Sequence, residues 1–439
     1  MLQIALLLCG REFIARNRHL FTAAVLVWGL FGAMVLTDGM LGARYFPLTL
    51  FGWIMLCESL FTLIASSGAV GAKRGIYLFK GGITGTVALL ILSGLSGSNM
   101  LLAIILGFVC FLSGAFLMVA AWVVRYPHWR RAMAGGVCQV LYAVFLFQPY
   151  PTHHDGTVPQ FIGVLMLLSA ADGLLLSLRM RNLAPGVTIF DVQSPGDTDY
   201  TKPVTAPALS CQTNTAVNKP ELRVLVWTPA GSACRDTLPR PVMTRYIAAV
   251  DAGGVISTGH AALEMEDVYI SLYPAVDIDR SPSEFFSMLR AVRENDVPGK
   301  FQYDYVSEAA AWCEADRQVC FHSFSRSSLR AFDAHYRQQE IYNLTWRNCS
   351  SSVAYALEAA LDGVLYRKGG WFVFLGLLLR PELLIAAQLR RRATTMAWTP
   401  GLVLDYSRAL HGLVHPVRLS WLGNSAGANS REGRKSAGE

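Results

Sequence analysis

The stretch GGVISTGHAALEMEDVYISLYPA, residues 253–275, and the pentapeptide WRNCS, residues 346–350, decide how this chain is read. Val255–Met265 and Val268–Pro274 carry strand signals, and Glu266-Asp267 joins them as a hairpin with His260 on its first arm. Past Asn348 the period changes. Val353, Ala356, Leu357, Ala360 and Leu361 form one helical stripe that opens at Cys349, and Asp362-Gly363 supplies the stop. A thiol in a first helical turn meets the helix dipole and free N–H groups, so a lowered pKa is expected there. Imidazole can take the thiol proton and return it to a leaving group. The helix N-terminal amides, with the Asn348 side chain, are candidates to hold an oxyanion. Taken singly, Cys349 fits a small core residue and His260 a satisfied strand histidine. Together, with the histidine 89 residues ahead of the cysteine, they read as base and nucleophile.

The surrounding chain divides in two. Of 439 residues 53% are hydrophobic and only 16% charged, against about 25% charged in ordinary soluble domains. The deficit is local, because residues 20–178 hold nearly all the long apolar runs. Spans are expected at 20–38, 46–68, 76–95, 99–124, 132–149 and 159–178. FGWIMLCESLFTLIAS from Phe51, LGFVCFLSGAFLMVAA from Leu106 and IGVLMLLSAADGLLLS from Ile162 resemble one another, with Gly52, Gly107 and Gly163 recurring at intervals of 55 and 56 residues. Such a period implies three helical hairpins packed around small residues. One side of the spans carries Arg11, Arg16, Arg18, Lys73, Arg74, Arg125, Arg130, Arg131, Arg179 and Arg181, the other only Arg44 with Asp38 and Asp155. This asymmetry places both termini in the cytoplasm. It also assigns the net charge of +7 to topology and lipid headgroups rather than nucleic acid.

Within the spans Glu58, Lys80 and Asp172 are polar. Lys80 is expected to snorkel, and Glu58 and Asp172 to have a structural or helix-end role, with a common interior as the functional alternative. His153 and His154 belong to an outer loop. Leu2, Leu6, Cys9 and Phe13 form a stripe opposite Arg11, Arg16 and Arg18, which suits an interfacial helix better than a signal peptide. The nine cysteines show no metal spacing, so reduced thiols are expected, with a Cys313–Cys320 bridge reserved for an oxidising face. In the soluble part further elements are expected at Leu222–Trp227, from the capping box at Ser281 to about Asn295, and from Ser327 to Gln339. Trp371 to Leu389 is interrupted by Arg380-Pro381-Glu382. It reads as a bent membrane-surface helix whose Arg390, Arg391 and Arg392 meet anionic lipid, or as a helix packed on the protein.

Six short spans with Gly-rich odd helices and a three-hairpin repeat resemble the HdeD family of bacterial acid-resistance membrane proteins over roughly residues 15–185. The resemblance implies a stress-associated inner-membrane module and no catalytic residues. Asn348-Cys349 at a helix start, behind the Gly259-His260 strand, resembles the circularly permuted NlpC/P60 branch of the papain-like superfamily, which includes lecithin:retinol acyltransferase-like enzymes, over about residues 222–365. This second resemblance implies Cys349 as nucleophile, His260 as base, and a third polar residue on the next strand. There Tyr269–Tyr273 offers no His, Asp or Glu, and Ser271 is the nearest polar candidate.

The expected fold class is a membrane α-helical bundle of six spans and three hairpin repeats, plus a soluble α+β papain-like domain. The expected boundaries are 1–185 for the transmembrane domain, 186–220 for a linker, 221–365 for the papain-like domain, 366–423 for a membrane-associated helical extension and 424–439 for a disordered tail. A thiol hydrolase or acyltransferase acting on an amide or ester, lipid-linked or peptidic, is expected without cofactor or metal. Its partners would be the bilayer and its substrate, not nucleic acid, and a homo-oligomer is compatible. The competing reading is a non-enzymatic stress protein whose soluble domain binds a partner; a transporter is a weaker third. A reporter fused after Glu439 should behave as cytoplasmic, and activity of a periplasm-only reporter there would overturn the charge argument.

Overall fold

The structure is a computed structural model, and it describes residues 1–43, 45–67, 72–94, 97–180, 189–190, 221–232, 241–250, 256–278, 285–366 and 370–416. The chain opens with six long helices, α1 (Leu2–Met40), α2 (Leu48–Ser67), α3 (Ala72–Ser93), α4 (Ser98–Val124), α5 (Trp129–Phe147) and α6 (Thr157–Met180). They pack as α2 with α3, α4 with α5, and α6 with α1. The periodic glycines are the reason. Gly52 backs onto Ile91 and Leu92 of α3, Gly107 onto Phe147 of α5, and Gly163 onto Leu36 of α1, so a Cβ at any of them would meet its neighbour at 2.9 Å or less. Two of the three expected hairpins are therefore sequential, whereas the third pair joins the first helix to the last.

Four of these helices, α1, α2, α4 and α6, are long and apolar enough to cross a membrane. The apolar part of α3 runs only from Tyr77 to Ser93, and α5 opens on Trp129-Arg130-Arg131. Glu58 and Asp172 do not share an interior. Glu58 pairs with Lys80 at 2.5 Å between α2 and α3, and Asp172 is exposed.

The N-terminus corrects another expectation. Residues 4–9 are buried on every side, none more than 4% exposed, so this is no interfacial helix with one wet face. Gly10 breaks the helix at φ +76°, and the carbonyls of Leu7 and Leu8 accept from the amides of Gly363 and Leu365 at 2.8 and 2.9 Å. The apolar segment thus belongs to the core of the C-terminal half, although it continues directly into a membrane-type helix. Ile189 and Phe190, inside the expected linker, are buried in the same core. The rest of that linker and the expected tail lie outside the described residues.

The C-terminal half is built on an antiparallel sheet of β1 (Leu222–Trp227), β4 (His260–Met265), β5 (Val268–Ile270) and β8 (Arg317–Phe321), in the order β5-β4-β1-β8. Between β1 and β4 come α7 (Pro241–Tyr246) and the short pair β2 (Ala249–Val250) and β3 (Ile256–Ser257). A second sheet orders β6 (Leu272–Pro274), β7 (Val297–Phe301) and β9 (Ile341–Tyr342). The expected Val268–Pro274 strand is split between the two sheets at Ser271. The helix expected to reach Asn295 stops as α8 (Phe285–Met288), because the Asn295 side chain takes the carbonyls of Ser287 and Arg290. Next come α9 (Tyr305–Ala311) and α10 (Arg326–Tyr336), then α11 (Cys349–Leu361), α12 (Gly370–Leu378), α13 (Pro381–Thr395) and α14 (Pro400–Val414). No disulfide joins Cys313 and Cys320.

Helix α11 is the centre of this half: all thirteen of its residues are buried. Val224, Val226, Ala261 and Leu263 of the sheet, the N-terminal segment and α14 all contribute to the core around it. Its one acid, Glu358, is 1% exposed and receives both Arg390 nitrogens at 2.7 and 3.0 Å and the Tyr406 hydroxyl at 2.7 Å. Arg390 is therefore a core cation rather than a lipid contact, whereas Arg391 and Arg392 remain exposed. Between α12 and α13 the chain bends by 69°. Trp371 bonds Asn17 at 3.0 Å and Phe374 stacks on Phe13, while Phe372 and Leu379 point outward.

Removing one member of a buried ion pair costs about 3–5 kcal/mol, whereas replacing both by apolar groups is often neutral. Arg390→Met should accordingly lower the melting temperature of the C-terminal half sharply, and Glu358→Leu/Arg390→Met should recover most of the loss. Equal melting of the single variant and the wild type would show that the pair does not hold α11.

Candidate functional site

Asn348 caps α11, its side-chain oxygen accepting from the Ser351 amide at 2.8 Å while the Ser351 hydroxyl accepts from the Asn348 amide. The cap sets Cys349 in the first turn. Arg347, wholly buried, anchors the preceding loop by donating to the carbonyls of Ile341, Tyr336 and Gln339 and by stacking on Tyr336 at 3.8 Å. The role expected for Asn348 in holding an oxyanion does not fit this geometry. Its amide nitrogen donates to the carbonyls of Leu344 and Trp398 at 2.7 and 2.9 Å, and its oxygen is spent on the cap.

His260 is the first residue of β4, released from β3 by Gly259 at φ +70°. A Cβ at Gly259 would lie 2.4 Å from the Trp227 carbonyl, so only glycine admits this entry. Cys349 lies by the start of β4, where the backbone amide of Ala261, the residue after His260, and that of Ser350 act on its thiol. Tyr273 stacks on the imidazole, ring centres 4.1 Å apart. Trp227 and Trp312 close the other sides at 5.4 and 6.4 Å.

Ser271 is brought to the site. Its hydroxyl lies 2.8 Å from His260 Nε2, because the break between β5 and β6 turns that residue towards β4. Beside it stands a residue that sequence reasoning missed. Glu308, on α9 and 5% exposed, places Oε1 3.4 Å from the same Nε2 and accepts the Tyr269 and Tyr273 hydroxyls at 2.6 and 2.8 Å. The third polar group is expected on the strand after His260; a helix 48 residues downstream also brings a carboxylate to the imidazole. The one clue was an acid set among small apolar residues in EAAAWC.

Burial governs the electrostatics. It drives the His260 pKa from 6.5 down to about 3. It also raises the Cys349 thiol, against the lowering effect of the Ser350 hydroxyl and of the Ala261 and Ser350 amides. The thiolate expected from the helix dipole is thus not the resting form. Desolvation outweighs the dipole, and both groups rest neutral. Among the described residues no cluster of His, Cys, Asp and Glu could hold a metal ion. A cleft of about 530 Å³ opens alongside β5, lined by Tyr269, Glu264, Asp304 and Arg337, and reaches the site only through Tyr269. Compared with models of known families, curated proteins and solved structures, the chain matches none.

A histidine depressed on folding leaves the unfolded chain holding more protons between the two pKa values. Stability is therefore complete above 6.5 and is lost as pH falls towards 3. The expected slope reaches about 1.4 kcal/mol per pH unit. His260→Gln should flatten the acid dependence of melting; an unchanged slope would mean that His260 is not buried as neutral imidazole.

Proposed function

We propose that the chain is a membrane-tethered thiol hydrolase or acyltransferase of papain-like type, with Cys349 as nucleophile and His260 as base. The observation that carries this reading is the shared end of β4. There the amide next to His260 acts on the Cys349 thiol, while Ser271 and Glu308 flank His260 Nε2. That leaves Nδ1 as the nitrogen for the thiol. A neutral pair then works by general base catalysis: as sulfur attacks an acyl carbon its proton passes to Nδ1, and the Glu308 carboxylate offsets the imidazolium charge. The imidazolium next protonates the leaving amine or alcohol, giving a thioester on Cys349. Water, or an acceptor alcohol, attacks that thioester with His260 again taking the proton. The Cys349 amide is the first-turn donor that neither the Asn348 cap nor the sulfur uses, so it is assigned to the oxyanion.

A substrate at the membrane surface is favoured by how the nucleophile loop is mounted. Thr345 donates to the Leu289 carbonyl at 2.7 Å, and two residues on the Ala291 amide donates to the carbonyl of Val124, the last residue of α4, at 2.7 Å. An acyl lipid or lipid-linked group therefore lies within the proposed substrate class. The wider assignment combines an HdeD-like module of six spans in a bacterial inner membrane, a cytoplasmic catalytic domain and a role in envelope stress. It rests on the repeat and on loop charge. One observation favours the competing reading of a non-enzymatic stress protein: His260 and Cys349 are only 3% and 9% exposed, as in a closed partner-binding fold.

The two readings separate with a panel of activated esters and thiol-directed acyl probes on the full chain. A covalent adduct is expected at Cys349, absent in Cys349→Ala. General-base loss in His260→Ala should slow acylation by about 10²–10⁴-fold. Glu308→Gln should slow it less and steepen its dependence on pH, because the amide cannot offset an imidazolium. Labelling of Cys349 that is indifferent to His260, or no adduct with any probe, would leave the binding role standing.

A further inference from the structure

We propose that the turn between α4 and α5 binds the phosphate of an anionic phospholipid. Residues 122–131, WVVRYPHWRR, carry three arginines and no acid. Arg125, held left-handed at φ +51°, sets its guanidinium 5.5 Å from the Trp122 ring centre and 5.8 Å from that of Trp129. The two indoles meet edge to face at 6.3 Å, and Arg130 lies 5.6 Å from the Trp129 ring. Both indoles border the guanidinium without using its hydrogens.

Two polar atoms here stand buried with no hydrogen-bond partner among the described residues, Arg125 Nε and the Tyr126 hydroxyl. Each such orphan is destabilising, and both can donate. Arg391 of α13 lies near enough for its charge to act on the Tyr126 hydroxyl. A ligand that satisfies this set must be anionic and offer several oxygens on one centre, which is the chemistry of a phosphate.

The neighbourhood selects a lipid phosphate over a dissolved one. Phe108, Leu112, Phe116 and Val119 of α4 are all more than half exposed, so an apolar outer face leads straight up to the turn. Tryptophan and arginine at the end of such a face lie at headgroup depth. The adjoining Val124 carbonyl carries the loop beneath Thr345, but the assignment does not depend on any reaction at Cys349.

The test uses the full chain in phosphatidylcholine nanodiscs with or without added phosphatidylglycerol, followed by native mass spectrometry of retained lipid. Wild type should retain phosphatidylglycerol over phosphatidylcholine. Arg125→Gln and Arg130→Gln should each lower that retention about tenfold, the loss of one charge-assisted contact, whereas Arg317→Gln, the same charge change on the distant sheet, should not. Helical circular dichroism confirms that each variant is folded. Equal retention in Arg125→Gln and Arg130→Gln would overturn the site. Displacement of the lipid by excess inorganic phosphate would overturn the lipid assignment in favour of a dissolved anion.

Discussion

Everything in the C-terminal half depends on α11 being surrounded. A helix with no wet face must satisfy its polar groups from within, and each end does so differently. The N-terminus uses the Asn348 cap and the serines that follow it, with Arg347 tying the incoming loop to three carbonyls. The middle holds Glu358 against Arg390 and Tyr406. At the C-terminus the turn at Gly363 is closed by the carbonyls of Leu7 and Leu8, so the first residues of the chain seal a helix end 356 residues downstream of Leu7.

The same enclosure decides the chemistry. A helix N-terminus and two amide hydrogen bonds favour the thiolate, and on an exposed turn they would win. Here burial reverses the result for Cys349 and suppresses charge on His260. On the proposed reading, a neutral pair needs a partner for the charge that arises only during reaction, which Ser271 cannot provide. Glu308 can, and its two tyrosine donors fix where that charge stands. Glu308 lies 48 residues downstream of His260 on another element, so no local pattern around the histidine points to it.

What was legible in the sequence was what is local. The bounds of β1 and α11, the stop at Gly363 and the hairpin at Glu266-Asp267 match the expectations, since a period and a turn residue suffice for each. The glycine repeat foretold the small-residue seams, because close helix approach requires glycine at those positions. Expectations failed where a tertiary partner overruled local pattern. Ile4–Cys9 looked like half of an amphipathic helix, yet a buried seat took every face. Arg390 looked like part of a lipid-facing basic run, yet an acid inside α11 captured it. Glu308 left almost no trace, since its role comes from two tyrosines and a histidine on other elements.

One mechanical consequence joins the two halves. α11 is tied to membrane-type helices from both ends: through Gly363 and Leu365 to the start of α1, and through Thr345, Leu289 and Ala291 to the end of α4. Asn343 stiffens the second tie, its side chain bonding Asp296 while its oxygen accepts the Thr345 amide. A small shift of α4 against α1 would therefore act on the loop that sets Cys349 and on the opposite end of the same helix at once. Because a packed core has discrete arrangements rather than a continuous range, such a shift would tend to leave the nucleophile turn either seated or displaced. The helical module is thus more than an anchor: it forms two walls of the frame in which the thiol is held.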